Sequence, residues 1–184
     1  MSLTPSNMLP LGTQAPDFTL PTGAGQAVSR DQLVKQNGLL VVFMSNHCPF
    51  VIHLAEALAK LGDEIDQFDI GMVGINANDV IAYPADSPEN MLLESQQRGY
   101  NFAYLFDQTQ AIAKAYDAAC TPDFFLFDSD LKLVYRGQFD ASRPGSDVAV
   151  DGNSLYQALS ALSQQQPINP LQAPSVGCNI KWAK

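Results

Sequence analysis

The chemistry available to this sequence converges on Cys48, in the stretch Ser45-Asn46-His47-Cys48-Pro49. A cysteine thiolate is a nucleophile toward sulfur and peroxide oxygen, and it forms most readily where cationic groups or unpaired amides face the sulfur. Proline directly behind Cys48 suits the first position of a helix, where the missing N–H would have had no partner. Cys48 therefore meets the open amides and the positive dipole end of a helix start, an environment that lowers a thiol pKa from about 8.5. His47, when protonated, favours the thiolate further. The alternative reading is a small buried hydrophobe, but such cysteines sit within a strand or on a helix's apolar face, and Cys48 lies in the turn. Three residues on, where a Cys-x-x-Cys dithiol would carry its second sulfur, stands Val51. Any intramolecular disulfide from Cys48 must therefore use Cys120 or Cys178.

The elements that position Cys48 are legible on either side of it. Leu39–Met44 is an apolar run, β-branched at Val41 and Val42, of the length of a buried strand. Phe50, Leu54, Leu58 and Leu61 recur at helical spacing and give the following helix one apolar face. Upstream, residues 1–12 read as a loose arm, Ala15–Leu20 as an edge strand entered by proline, and Val28 as the start of a second short strand. Ser29 caps a brief helical turn. Downstream, Ile70–Ile75 is a second buried strand, and the polar segment Asn76–Pro88 is a candidate site wall. Ser87-Pro88-Glu89 opens a helix that ends at Gly99. Ala103–Phe106 is a third strand, followed by a helix capped by Asp107 or Thr109. Phe124–Phe127 and Leu131–Tyr135 form a hairpin, and Asn153–Ser163 is the last helix. The tail, 164–184, shows no regular pattern, and Trp182 is expected to anchor it by burying its ring. Helices alternating with strands, closed by a hairpin, predict one α/β domain over 1–184 with a mixed central sheet covered on both faces.

Composition narrows the partners. Nineteen acidic residues against ten basic ones give a net charge of −9, a field that repels nucleic-acid phosphates and anionic membrane surfaces. No run approaches the ~20 apolar residues of a spanning helix. The N-terminus lacks the basic and apolar segments of a secretory signal, and three cysteines fit a reducing compartment better than a disulfide scaffold. A cytoplasmic location is expected. With two histidines and no zinc spacing, no metal site is expected, and no cofactor is implied.

A strand, Cys-Pro at a helix start, and Thr121-Pro122 ahead of another strand resemble the thioredoxin superfamily. Within it, NHCPFV, NANDVIAYPADSPENM, YLFDQTQAIAKAYDAACTPDFFLFD, YRGQFDASRPG and PSVGCNIKW resemble the peroxiredoxin-like branch of the alkyl hydroperoxide reductase and thiol-specific antioxidant family. The match runs from about Gly12 to Lys184. It implies a thioredoxin-like fold with an N-terminal β-hairpin, and a cis Thr121–Pro122 bond packed against the Cys48 thiol. It also implies Cys48, Ser45, Thr121 and Pro122 as catalytic residues, with Ser45, three before the cysteine, orienting a peroxide oxygen. Two family features are missing. Val41 stands where the family has proline, and TPDFF lacks the usual arginine, leaving Arg136 and Arg143 as the nearby substitutes. Asn76, Tyr83 and Asp140 belong to matched segments at the same end of the sheet as His47.

Resolution of an oxidised Cys48 stays open between two thiols. Cys120 shares the side of Pro122 in an extended segment and is preferred, because that packing would hold it beside the site. Cys178 lies in the tail, where the family often keeps a resolving cysteine. The expectation is a thiol oxidoreductase that reduces hydroperoxides through Cys48 and is recycled by an external thiol, thioredoxin-like or of low molecular weight. A thiol–disulfide oxidoreductase working by mixed disulfide and a non-enzymatic sensor or binding module are the alternatives.

Overall fold

The computed structural model describes residues 3–184. β1 (Leu3–Pro5) comes first, then a hairpin of β2 (Thr19–Pro21) and β3 (Ala27–Ser29) closed by Gly25 N–H on the Thr22 carbonyl at 2.9 Å. The edge strand expected from Ala15 is shorter, because Ala15 and Phe18 are core plugs and not ladder residues. Ser29 and Gln32 form a capping box that opens the single turn α1 (Arg30–Leu33), with Ser29 N–H on Gln32 Oε1 at 2.8 Å.

β4 (Gly38–Phe43) is buried along its whole length, which explains its unbroken apolar run. α2 (Pro49–Glu64) follows, then β5 (Ile70–Asn76) and α3 (Pro88–Arg98). Ser87 Oγ accepts Asn90 N–H at 3.3 Å at the start of α3, and Gly99 ends it in the left-handed region. After β6 (Ala103–Phe106), both expected caps serve α4 (Ala111–Ala115): Asp107 Oδ2 accepts Ala113 N–H at 2.9 Å and Thr109 Oγ1 accepts Ala111 N–H at 3.3 Å. The last elements are β7 (Cys120–Thr121), β8 (Asp123–Phe127), β9 (Leu133–Gly137), α5 (Asn153–Ser163) and β10 (Val176–Asn179).

The main sheet has the order β6-β5-β4-β8-β9, parallel on the β4–β5–β6 side and antiparallel from β4 through β8 to β9. Side chains alternate across it. Leu40, Val42, Phe124 and Leu126 face Leu54 and Leu58 of α2 and Leu155 and Leu159 of α5, while Val41, Phe43, Phe125 and Phe127 face Ala113 of α4 and Tyr116 at its end. The sheet is therefore mixed and covered on both sides, and the fold is thioredoxin-like. No helix is long and apolar enough to cross a membrane among the described residues.

The termini differ from their sequence reading. Residues 3–5 of the arm form β1 and part of the tail forms β10; together with β7 they build a second sheet of order β1-β10-β7. Residues 1 and 2 lie outside the described residues. The tail is ordered because its partners are distant in sequence: Lys181 N–H donates to Asn78 Oδ1 at 2.8 Å, and Ala183 N–H to Gln110 Oε1 at 2.8 Å. Trp182 is not the buried anchor expected. Its ring is 40 % exposed and sits under Lys114 Nζ, 5.6 Å from the ring centre.

Candidate active site

The end of β4 and the start of α2 put Cys48 at the helix N-cap, in extended backbone, with Pro49 as the first helical residue. Ile52 N–H reaches the Cys48 carbonyl at 2.9 Å, the first bond of the helix. The Cys48 side chain caps none of the first-turn amides. Its thiol turns instead across to β7 and donates to the Thr121 carbonyl at 3.1 Å. The Thr121–Pro122 peptide is cis, as the resemblance implies. Cys48 is only 1 % exposed.

All three cysteines are buried and reduced, and they are not equivalent. Cys178 of β10 stands in register with Thr121, the residue whose carbonyl accepts the Cys48 thiol. Burial first, and then the neighbouring Cys48, push the Cys178 thiol up. Cys120 points its sulfur at the Pro122 carbonyl, 3.7 Å away, and burial, with the Asp123 carboxyl beside it, raises its thiol strongly. Cys48, through its thiol, and Cys178, through strand register, thus both meet the chain at Thr121.

The wall expected from Asn76–Pro88 is present, and its organiser is Asp86, a residue no sequence pattern singled out. Asp86 is fully buried. One carboxylate oxygen accepts Asn46 N–H at 2.7 Å; the other accepts Asn78 Nδ2 at 2.7 Å and His47 Nδ1 at 2.8 Å. A carboxylate only accepts, so Nδ1 of His47 carries the proton in this contact. The His47 ring also stacks on Tyr83, centroids 5.4 Å apart and planes 3° from parallel, and Lys181 Nζ lies 5.7 Å from the Tyr83 ring centre. Ser45 is buried, with Oγ 3.4 Å from His47 Nδ1.

Other candidates are taken up by the scaffold. Asn76 bonds Tyr104 through Nδ2 at 3.2 Å and accepts Asn78 N–H at 3.0 Å, so it braces the wall from beneath. Burial drives the Tyr104 hydroxyl well above its ordinary range. Arg136 gives its guanidinium to the Leu9 carbonyl at 3.0 Å and to Gln172 at 2.8 Å, locking the N-terminal segment to the tail. Arg143 borders a small cleft beside Pro122, Phe50 and Val176, but its guanidinium is spent on the Asp140 and Ser142 carbonyls and Gln138 Oε1, 2.6–2.9 Å away. Both guanidinia are thus engaged by loop and terminal groups. Asp140 folds the loop: burial would raise its carboxyl, but Ser142 and the Gly152, Ser142 and Asp151 amides hold it below the ordinary range. His53 Nε2 donates to Ser142 Oγ at 3.0 Å, and that hydroxyl donates onward to Asp140. Among the described residues, no cluster of His, Cys, Asp and Glu could hold a metal ion.

The family model described as AhpC/TSA matches residues 11–136. The chain belongs to the AhpC/TSA family. Curated proteins gave no match. Among solved structures, this AhpC/TSA chain is similar to an uncharacterized conserved protein from Geobacillus kaustophilus at 47 % identity and TM-score 0.97, covering 100 % of this chain and 97 % of that one. Two remoter likenesses show the fold alone. A peroxidoxin, BcpB, from Mycobacterium tuberculosis aligns at 18 % identity and TM-score 0.64, over 84 % of this chain and 96 % of that one. A secreted disulfide oxidoreductase of the same organism aligns at 19 % and 0.60, over 78 % and 95 %. Family and fold together indicate thiol redox chemistry.

Proposed function

We propose that this AhpC/TSA protein is a thiol-dependent oxidoreductase in which Cys48 reduces small hydroperoxides. The observation carrying the choice of a small oxidant is the occupied backbone edge at Thr121. An extended peptide binds a sheet edge through free main-chain groups, and here β10 already pairs there, so a protein disulfide has no strand to join. A hydroperoxide needs only access to one sulfur.

The Cys48 thiolate attacks one peroxide oxygen. The S–O bond forms as the O–O bond breaks, and two electrons pass from sulfur to oxygen. Cys48 becomes a sulfenic acid, and the departing alkoxide or hydroxide takes up a proton and leaves as alcohol or water. An external thiol condenses with the sulfenic acid, releasing water, and a second thiol returns Cys48 to the reduced state. We assign the supply of that proton to His47, which Asp86 and Tyr83 hold beside Cys48 in sequence, and the orienting of the peroxide to Ser45, three residues before Cys48.

Treating the reduced protein with hydrogen peroxide in the presence of dimedone, followed by peptide mapping, should label Cys48 and leave Cys120 unlabelled. Cys48→Ser should abolish peroxide consumption. Peroxide consumption that survives Cys48→Ser would overturn the assignment, and turnover of a protein disulfide with no reaction toward peroxide would favour the disulfide-exchange alternative.

A further inference from the structure

We propose that Lys181 is an anion-recognition residue at the mouth of the Cys48 site, and that it seats the carboxylate of the small thiol that reduces Cys48. This rests on the reading of Cys48 as the reacting thiol, and it narrows the external reductant to a low-molecular-weight thiol carrying a carboxylate. The backbone fixes the place. Lys181 N–H donates to Asn78 Oδ1 at 2.8 Å, and its carbonyl accepts Asp79 N–H and Gln110 Nε2, each at 2.8 Å. Lys181, two residues beyond the end of β10, is thereby bound to the wall that also carries Tyr83 and Asp86. Its Nζ lies 5.7 Å from the Tyr83 ring centre, and the same ring stacks on His47, the chain neighbour of Cys48.

The charge there is unanswered. An ammonium has three donors and no acceptor, and two of those on Lys181 go to neutral groups, the Asn179 carbonyl at 3.0 Å and Asn179 Oδ1 at 2.9 Å. Among the described residues Lys181 makes no ion pair, although the chain carries nineteen acidic residues. Both carboxylates of the wall are engaged elsewhere: Asp79 accepts Ile81 N–H at 3.0 Å, and Asp86 is filled by Asn46, Asn78 and His47. Lysine is rarely withdrawn from water without a partner, yet Lys181 is half-buried. A cation held rigidly by neutral groups, with a donor to spare, draws anions against the field of a chain of net charge −9. The ligand must be small, because β10 closes the Thr121 edge to an extended chain, and it must bring a sulfur. Its sulfur bonds to the Cys48 sulfur as the sulfenic S–O bond breaks, and the hydroxyl leaves as water with the thiol's proton. A second molecule attacks its own half of that mixed disulfide, its proton passes to Cys48, and the two leave joined as a small disulfide. Lys181 takes no part in the electron transfer; it seats the anion.

Two arms separate this inference from the proposed function. The first needs no peroxide. The reduced protein is mixed with 5,5′-dithiobis(2-nitrobenzoate), which carries two carboxylates, or with neutral 2,2′-dithiodipyridine, and peptide mapping follows the rate of exchange at Cys48. The anionic-to-neutral rate ratio should fall about two- to fivefold in Lys181→Gln, the range of an exposed ion pair. It should hold in Lys181→Arg, and the difference should shrink as salt is raised. Lys132→Gln removes the same charge beside the Asp128 turn at the far end of β8 and should leave the ratio unchanged. The second arm oxidises Cys48 with hydrogen peroxide and compares its re-reduction by 3-mercaptopropionate and by neutral 3-mercaptopropanamide, with the same expectations. Equal ratios in native protein and Lys181→Gln, an equal fall in Lys132→Gln, or a Cys48 that no probe reaches would overturn the inference. A preference seen with the disulfides and absent with the thiols would overturn the reductant assignment. If the disulfides show the preference but peroxide leaves Cys48 untouched, the anion site stands and the peroxidase reading fails.

Discussion

Asp86 shows how much one carboxylate can organise. Three donors converge on it from Asn46, His47 and Asn78, and Asn78 in turn accepts the Lys181 amide just beyond β10. Asp86→Asn would turn one acceptor into an NH2 group facing two donors. The expected loss is about 1–3 kcal/mol, the cost of unsatisfied buried polar groups, measured by urea denaturation. The His47 ring should also leave its stack on Tyr83. Nothing in the local sequence announces this, because Asp86 lies in a polar loop and all three donors are brought to it by the fold. Cys48 was legible for the opposite reason: its strand, turn and Pro49 are consecutive. Arg136 and Arg143 show the limit of nearness in sequence, since both guanidinia are consumed by loop and terminal contacts.

Among the elements, β4, α2, β5, α3, β8 and α5 were legible because each carries its own period, cap or apolar run. β1 and β10 were not. Each is four residues or fewer and becomes a strand only by pairing with a segment more than fifty residues away. Gly177 makes the dependence measurable. Gly177→Ala places a methyl against the Thr121 carbonyl and should cost about 1–3 kcal/mol, as overpacking does. Amide exchange should quicken at Ile180 and in the β1–β10 ladder, while the interior of β4 keeps its protection. Uniform quickening across both sheets would mean that the second sheet is not a separate unit.

Over the whole molecule, the chain passes from the second sheet to the main one at Asp123, which begins β8 just beyond β7. It is fully buried. Ala119 N–H reaches one of its oxygens at 3.5 Å, and the other has no hydrogen-bond partner among the described residues. Burial, only partly offset by the neighbouring polar groups of Ser6, Ala119 and Ser175, pushes its carboxyl up to about 7. Below pH ~4 the group is protonated in both folded and unfolded chains. As the pH rises from about 4 to 7, the unfolded chain releases the proton while the folded one keeps it, so this contribution to stability falls. At ~1.4 kcal/mol per unit the loss reaches at most about 4 kcal/mol, and it levels off above pH 7. Asp123→Asn removes the titration. The variant should gain on the native protein between pH 4.5 and 8 in urea denaturation, and a difference independent of pH would contradict the account.

The central claim concerns the sulfur at the head of α2, and its most direct test is the rate at which the reduced protein consumes hydrogen peroxide, followed by stopped flow under pseudo-first-order conditions. The account predicts a rate constant above that of free cysteine at the same pH, retained in Cys120→Ser and lost in Cys48→Ser. A rate no faster than free cysteine, or one that survives Cys48→Ser, would contradict it.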